Sequence, residues 1–141
     1  MSADKHFFDT NILVYTFDLA APDKASKASD LIYAALASGK GMISYQVAQE
    51  FIAVVRKPFR TPMTFDQIEK YWNKTLRPLL EIHSSPALFE RAIDVCRTSQ
   101  LSWYDALIVA AAQHGRCKIL YSEDLQHGCR FGDLVVENPF L

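Results

Sequence analysis

The 141-residue sequence lacks the marks of several common classes of protein. Its net charge is -1 at pH 7, so no excess of basic residues favours a passive nucleic-acid binder. It holds three cysteines, an odd number, and no two of them form a C-x-x-C pair. Cys96, Cys117 and Cys129 are therefore predicted to be free thiols in a reducing compartment, which argues against a disulfide scaffold and a zinc site.

Long hydrophobic runs are also missing. The longest, Ala106 to Ala112, has seven residues, whereas a helix that spans a bilayer needs about 20. Asp4, Lys5 and His6 precede the first apolar segment, a pattern unlike that of a signal peptide. We therefore expect a soluble, cytoplasmic protein that does not engage membranes.

Nothing in the sequence divides the chain into parts. It has no internal repeat, no low-complexity segment and no linker rich in Gly, Pro or Ser. Half of its residues are hydrophobic, and a chain of this length can bury a full core. Residues 1–141 are therefore predicted to form one domain.

Apolar periodicity and capping signals predict strands that alternate with helices. The predicted strands lie over 5–8, 41–44, 79–83, 118–121 and 134–137, and the predicted helices over 11–19, 24–38, 45–56, 64–76, 86–98 and 102–114. This alternation is typical of an α/β fold with a central, mainly parallel sheet that is covered on both faces.

Four carboxylates stand at unusual places among these elements. Asp9 ends the first strand and Asp124 follows the fourth, where each has an ordinary explanation as a helix N-cap or in an Asx turn. Glu50 lies on the flank of its helix's apolar stripe, from which a side chain usually reaches solvent. Asp105 opens a helix that is apolar nearly all round, where a carboxylate is costly unless it caps the helix, is paired or binds a metal.

In a parallel sheet, the carboxyl ends of the strands share one edge with the N-termini of the following helices. We therefore expect the four acids to converge at that edge. Acids so close together repel one another without cations, and ligation by carboxylates alone favours Mg²⁺ or Mn²⁺. Such ions clamp phosphoryl groups and activate water, and Ser122 is placed to position that water or a phosphate.

Four segments resemble, in order and spacing, the motifs of PIN-domain ribonucleases. They are 8–13 (FDTNIL), 44–51 (SYQVAQEF), 103–112 (WYDALIVAAA) and 120–125 (LYSEDL). The resemblance covers the whole chain, and the compact form resembles the VapC toxins of bacterial toxin–antitoxin pairs. It implies a PIN-like three-layer α/β/α sandwich.

The resemblance also implies an activity, that of a metal-dependent endoribonuclease. The residues that would coordinate Mg²⁺ or Mn²⁺ and carry catalysis are Asp9, Glu50, Asp105 and Asp124, with Thr10, Asn11 and Ser122 as supporting polar groups. The bound water would attack an RNA phosphodiester. Two kinds of partner are implied as well: a second copy in a homodimer, and a small cognate antitoxin whose tail enters the acidic groove.

The chain departs from that pattern in places. Trp103 and Tyr104 precede Asp105 where many relatives have smaller or acidic residues, and Glu123 adds an acid without an assigned role. The basic run 56–60 (RKPFR) admits two interpretations. It could hold RNA phosphates while its aromatic ring stacks on a base, or it could be a solvated helix end, where cations are favoured.

Two other functions remain open. The first is a catalytically inert PIN-like module that binds RNA or a partner protein, although the presence of all four acids favours cleavage. The second is a phosphatase with Asp9 as its nucleophile. That chemistry usually requires a second Asp two residues further on, where this chain has Asn11.

Overall fold

The computed structural model describes residues 4–57 and 62–141, in which a six-stranded sheet lies between layers of helices. The strands are β1 (His6–Phe8), β2 (Gly41–Ser44), β3 (Leu80–Ile82), β4 (Ile119–Tyr121), β5 (Arg130–Phe131) and β6 (Leu134–Glu137). The helices are α1 (Thr10–Tyr15), α2 (Pro22–Ser38), α3 (Tyr45–Val55), α4 (Phe65–Tyr71), α5 (Arg77–Leu79), α6 (Pro86–Thr98) and α7 (Trp103–His114), and a π-helical stretch (Trp72–Leu76) joins α4 to α5. The predicted three-layer α/β/α fold is confirmed.

The strand order places β1 at the centre of the sheet, in the sequence β3-β2-β1-β4-β6-β5. β1 pairs in parallel with β2 and with β4, so that Phe7 lies opposite Met42 on one side and Leu120 on the other. β6 runs parallel to β4, and β5 runs antiparallel to β6. The carboxyl ends of β1, β2 and β4 therefore share one edge of the sheet.

The two faces of the sheet are covered by different helices. A Cβ atom at Gly41 would collide with Ala35 of α2, and one at Gly115, just past α7, would collide with Met42 of β2. Residues 106–112 of α7 are all buried, as the apolar character of that helix predicts. Within the described ranges, no helix is long and apolar enough to cross a membrane.

The observed elements differ from the predicted ones at a few ends. α1 stops at Tyr15, short of position 19, because the next residues donate to carbonyls three positions back and form turns. α2 begins earlier than predicted, with Pro22 in its first turn, where proline needs no N–H partner. The two-residue strand β5 was not predicted. It forms a tight hairpin with β6 through Gly132, whose φ of 63° suits glycine.

α7 ends in a Schellman motif with an unusual occupant. Cys117 N donates to Ala112 O (3.0 Å) and Arg116 N donates to Gln113 O (2.9 Å), which is the pattern that closes a helix through a left-handed residue. That residue is Arg116, with φ 59°. This conformation destabilises a residue other than glycine by about 1–2 kcal/mol.

Candidate active site

Asp9 joins the end of β1 to the start of α1. Its backbone is extended (φ -69°, ψ 158°) and its N–H donates to Tyr121 O at the end of β4 (2.9 Å). Its side chain is 6% exposed and accepts from Thr10 N at Oδ1 (2.7 Å) and from Ser122 Oγ at Oδ2 (2.8 Å). The predicted capping role of Asp9 is thus confirmed, and its second oxygen is held by Ser122, which directly follows the neighbouring strand β4.

Burial dominates the electrostatics of Asp9. It raises the pKa of this carboxyl from 3.8 to about 6, against the lowering effect of the hydrogen bonds from Ser122 and Thr10. The negative charges of Asp124 and Glu50 raise the pKa further. Their influence indicates that three of the predicted acids lie close to one another.

Glu50 turns inward from α3. Ser44, the last residue of β2, caps α3 by accepting from Val47 N (3.4 Å), so the helix starts at the edge where Asp9 lies. Thr10 Oγ1 donates to Glu50 Oε1 (2.6 Å), and Gln46 Nε2 donates to Glu50 Oε2 (3.3 Å). A side chain on the flank of a helix can point to solvent or to the core. These two hydrogen-bond donors direct the Glu50 carboxylate to the carboxyl edge of the sheet.

Asp124 is held by the loop after β4. Asn11 Nδ2 donates to Asp124 Oδ2 (2.8 Å), and the buried Ser122 Oγ accepts from Asp124 N (3.2 Å) and Leu125 N (3.3 Å). Partial burial and then the charge of Asp105 raise the pKa of Asp124, while the Asn11 hydrogen bond lowers it. Ser122 therefore connects Asp9 and Asp124 through one hydroxyl.

Asp105 completes the group from the first turn of α7. Ser102 caps this helix by accepting from Asp105 N (3.2 Å). The Asp105 carboxylate is half-buried, and its charge acts on Asp124. The buried part of α7 begins at Ala106, so this acid stands where the helix emerges from the core.

All four predicted acids line one cavity of about 370 Å³ at the carboxyl edge of the sheet. Its other lining residues are Thr10, Asn11, Gln46, Ala53, Val54, Lys57, Tyr104 and Ile108. Gln46 was not predicted from the sequence as a site residue, although it lies one helical turn before Glu50. Its Nε2 also donates to Tyr104 O (3.2 Å), so it ties the helix that carries Glu50 to the helix that carries Asp105.

Glu123 does not join this group. Its carboxylate forms an ion pair with Lys24 Nζ (2.5 Å) and accepts a hydrogen bond from the Tyr15 hydroxyl. These two hydrogen bonds, that of Lys24 first, lower the pKa of Glu123. Lys24 of α2 is thus the partner of Glu123, whose negative charge still raises the pKa of Asp124.

The basic run 56–60 lies only partly within the described residues, which leave out 58–61. The guanidinium of Arg56 lies over the Phe65 ring (4.7 Å), and Lys57 lines the acidic cavity. Positions 58, 59 and 60 of the run fall outside the described residues, so the two interpretations of the run, RNA contact or solvated helix end, both stay open.

The donor chemistry of the cavity fits a hard divalent cation, because its ionisable acids offer oxygen ligands. As the side chains stand, no three His, Cys, Asp or Glu residues within 4–57 and 62–141 are grouped closely enough to ligate one ion. Mg²⁺ needs less than that, since it commonly keeps several waters and takes one or two carboxylates. The oxygen donors of the cavity are therefore of the kind that such an ion takes.

Comparison with known proteins gives the family. A profile of the PIN domain matches residues 6–128, a span that includes all four acids, and the chain belongs to this family. PIN-domain proteins are usually nucleases and generally use divalent metal ions. Curated protein sequences give no match.

Solved structures share the fold at low sequence identity. A toxin–antitoxin complex from Klebsiella pneumoniae has a TM-score of 0.69 and 22% identity over 96% of this chain and 98% of that one. VapBC2 from Rickettsia felis, bound to a DNA fragment from its promoter, has a TM-score of 0.64 and 16% identity over 94% and 96%. FitAB bound to an IR36 DNA fragment has a TM-score of 0.67 and 15% identity over 96% of each chain.

Proposed function

We propose that this protein is a metal-dependent endoribonuclease that hydrolyses RNA phosphodiester bonds, and that it is the toxin of a toxin–antitoxin pair. The observation that carries the proposal is the convergence of Asp9, Glu50, Asp105 and Asp124 on one cavity. Membership of the PIN family supports the class of reaction. Likeness to proteins in toxin–antitoxin complexes supports the biological role.

In this proposal the four acids hold Mg²⁺ or Mn²⁺ and the neighbouring polar groups hold the acids. Thr10 and Gln46 fix the carboxylate of Glu50, and Asn11 fixes that of Asp124. Ser122 fixes Asp9. When bound, the cation supplies the positive charge that polarises the phosphodiester and activates the attacking water.

The test is cleavage of a labelled single-stranded RNA by purified protein with Mg²⁺, with Mn²⁺ and with EDTA. We expect cleavage with either metal and none with EDTA. Asp105→Asn should lower the rate of cleavage by about 100- to 1000-fold, whereas Glu69→Gln, at an exposed position of α4, should leave it unchanged. Protein that binds the RNA but stays inert with both metals would be the catalytically silent module instead.

We also propose two protein partners, a small cognate antitoxin and a second copy of this chain. An antitoxin encoded beside this protein should co-purify with it and suppress cleavage in a dose-dependent way. Light scattering after size-exclusion chromatography should give twice the 16.0 kDa of one chain. A mass of 16.0 kDa at all concentrations would refute the homodimer without bearing on cleavage.

A further inference from the structure

The opposite edge of the sheet carries a second cleft, of about 520 Å³. Three cations line it: Arg91 of α6, and Arg116 and Lys118 of the loop between α7 and β4. All three are exposed. Gln113 and the half-buried Phe131 also line the cleft.

The cations in this cleft are only loosely engaged. Lys118 Nζ lies 3.8 Å from Asp133 Oδ2, in a pair whose side chains are 52% and 93% exposed, and such pairs are weak. Arg91 Nη1 donates to Gln113 Oε1 at 3.5 Å, and Gln113 Nε2 donates to Phe131 O at 3.2 Å. Of the residues that line the cleft, Asp133 is the acid, against three cations.

The positive charge continues along the amino edge of the sheet. Lys118 N donates to Lys5 O (2.8 Å), and His6 N donates to Lys40 O (3.0 Å). Lys118, Lys5 and Lys40 therefore precede three neighbouring strands, which lie about 5 Å apart. The cleft is thus one end of a row of cations.

The backbone at Arg116 gives a second reason to assign a role to this cleft. Its left-handed conformation (φ 59°) is the one for which glycine is favoured at a helix end. A cation at a helix C-terminus is favourable, but neighbouring positions offer that benefit without the strain. The sequence has an arginine at a position that costs stability, and this residue lines the cleft.

We infer that this cleft binds the phosphodiester backbone of single-stranded RNA, at a place separate from the acidic cavity. Two guanidinium groups match phosphate oxygens through paired N–H donors, and Phe131 offers a ring beside them for stacking. The cleft and Asp105 are about 16 Å apart along α7. The inference goes beyond the proposed function, because binding here requires neither metal nor cleavage.

The experiment is fluorescence anisotropy with a labelled single-stranded RNA in EDTA, over a range of salt concentrations. The double variant Arg91→Gln/Arg116→Gly should weaken binding at least about tenfold and lower the slope of log Kd against log salt by about 0.7 for each phosphate that the protein no longer neutralises. The matched control Lys27→Gln/Lys70→Gln removes the same charge from exposed positions of α2 and α4. It should change neither quantity.

Several results would overturn the inference. One is an equal loss of affinity in the control, which would indicate only net charge. Another is an unchanged salt slope in the cleft variant, provided that its melting temperature is not below that of the wild type. If ATP competes for the cleft as tightly as the RNA does, the cleft binds a free nucleotide instead. If duplex DNA binds as tightly as the RNA, and its binding depends equally on Arg91 and Arg116, the cleft binds DNA instead. Because cleavage is not measured, inactivity of the acidic cavity would leave this test unaffected.

Discussion

The two edges of the sheet carry opposite charge and are built differently. At the carboxyl edge, Asp9 is buried, and both of its oxygens accept hydrogen bonds from neutral donors. At the amino edge, Arg91, Arg116 and Lys118 are exposed to solvent. Buried carboxylates cost stability but are fixed in place, whereas exposed cations cost little and act through screened, longer-range attraction. We therefore expect chemistry at the first edge and salt-sensitive binding at the second.

The largest effect that separates the edges should be on RNA cleavage. Asp105→Asn removes a charge from the acidic cavity and should lower kcat/KM by about 100- to 1000-fold, as loss of a preorganised charged group does. Arg116→Gly should leave cleavage of a dinucleotide substrate unchanged, because so short a substrate does not reach the amino edge. Equal losses of cleavage in both variants would contradict the assignment of the chemistry to the carboxyl edge alone.

The next effect concerns the stability of the metal-free protein. Asp9 has a pKa of about 6 when folded, against 3.8 as its ordinary value. Between these values the folded state binds the proton more tightly than the unfolded state, so the stability that comes from Asp9 is present at low pH and is lost as pH rises through about 6. The loss is up to about 3 kcal/mol.

Asp9→Asn isolates this contribution from the other titrating groups. In EDTA, urea unfolding of the two proteins should give similar free energies near pH 4, and the variant should be the more stable near pH 7.5. The asparagine amide keeps one acceptor oxygen of the two that Asp9 offers, so either Ser122 Oγ or Thr10 N loses its acceptor in the variant. An Asn variant that is less stable than the wild type at pH 7.5 would show that burial of the charged Asp9 carboxylate does not destabilise the fold.

The two edges also differ in how far the sequence predicts them. Three acids of the carboxyl edge, Asp9, Asp105 and Asp124, follow strands or open a helix, and the parallel topology brings such positions together. Capping by Asp9 and Ser102 could be predicted because N-caps have strong residue preferences. The two-residue strand β5 could not, since no periodicity exists over so short a segment.

Other features depend on packing that no local pattern encodes. Glu50 lies on a helix flank, and its direction is set by Thr10, 40 positions away. The partner of Glu123 is Lys24, which is 99 positions away. The cationic cleft joins α6 to the loop between α7 and β4, so its charges come from two separate parts of the chain, and a net charge of -1 does not reveal them.

Gln46 offers a smaller and more specific test of the carboxyl edge. It donates to Glu50 and to the backbone of Tyr104, and we assign it a positioning role. Gln46→Ala should lower kcat by about tenfold and weaken Mn²⁺ binding, measured calorimetrically, by a similar factor, because groups that orient metal ligands contribute that much. Gln49→Ala, at an exposed position of the same helix, is the matched control. Equal behaviour of the two variants in both measurements would remove Gln46 from the site.

The smallest predicted effect is at the amino edge, where a substitution should raise the free energy of unfolding rather than lower it. Arg116→Gly relieves the left-handed strain at the end of α7 and should raise the free energy of unfolding by about 1 kcal/mol, measured in urea at moderate salt. Arg116→Lys keeps both the charge and the strain, so its stability should match that of the wild type. If the glycine variant is less stable, the arginine side chain itself holds the end of α7 together, and its place in the cleft is then explained by the fold. If it is more stable, Arg116 lowers the stability of the fold, and its position is then explained by phosphate binding in the cleft.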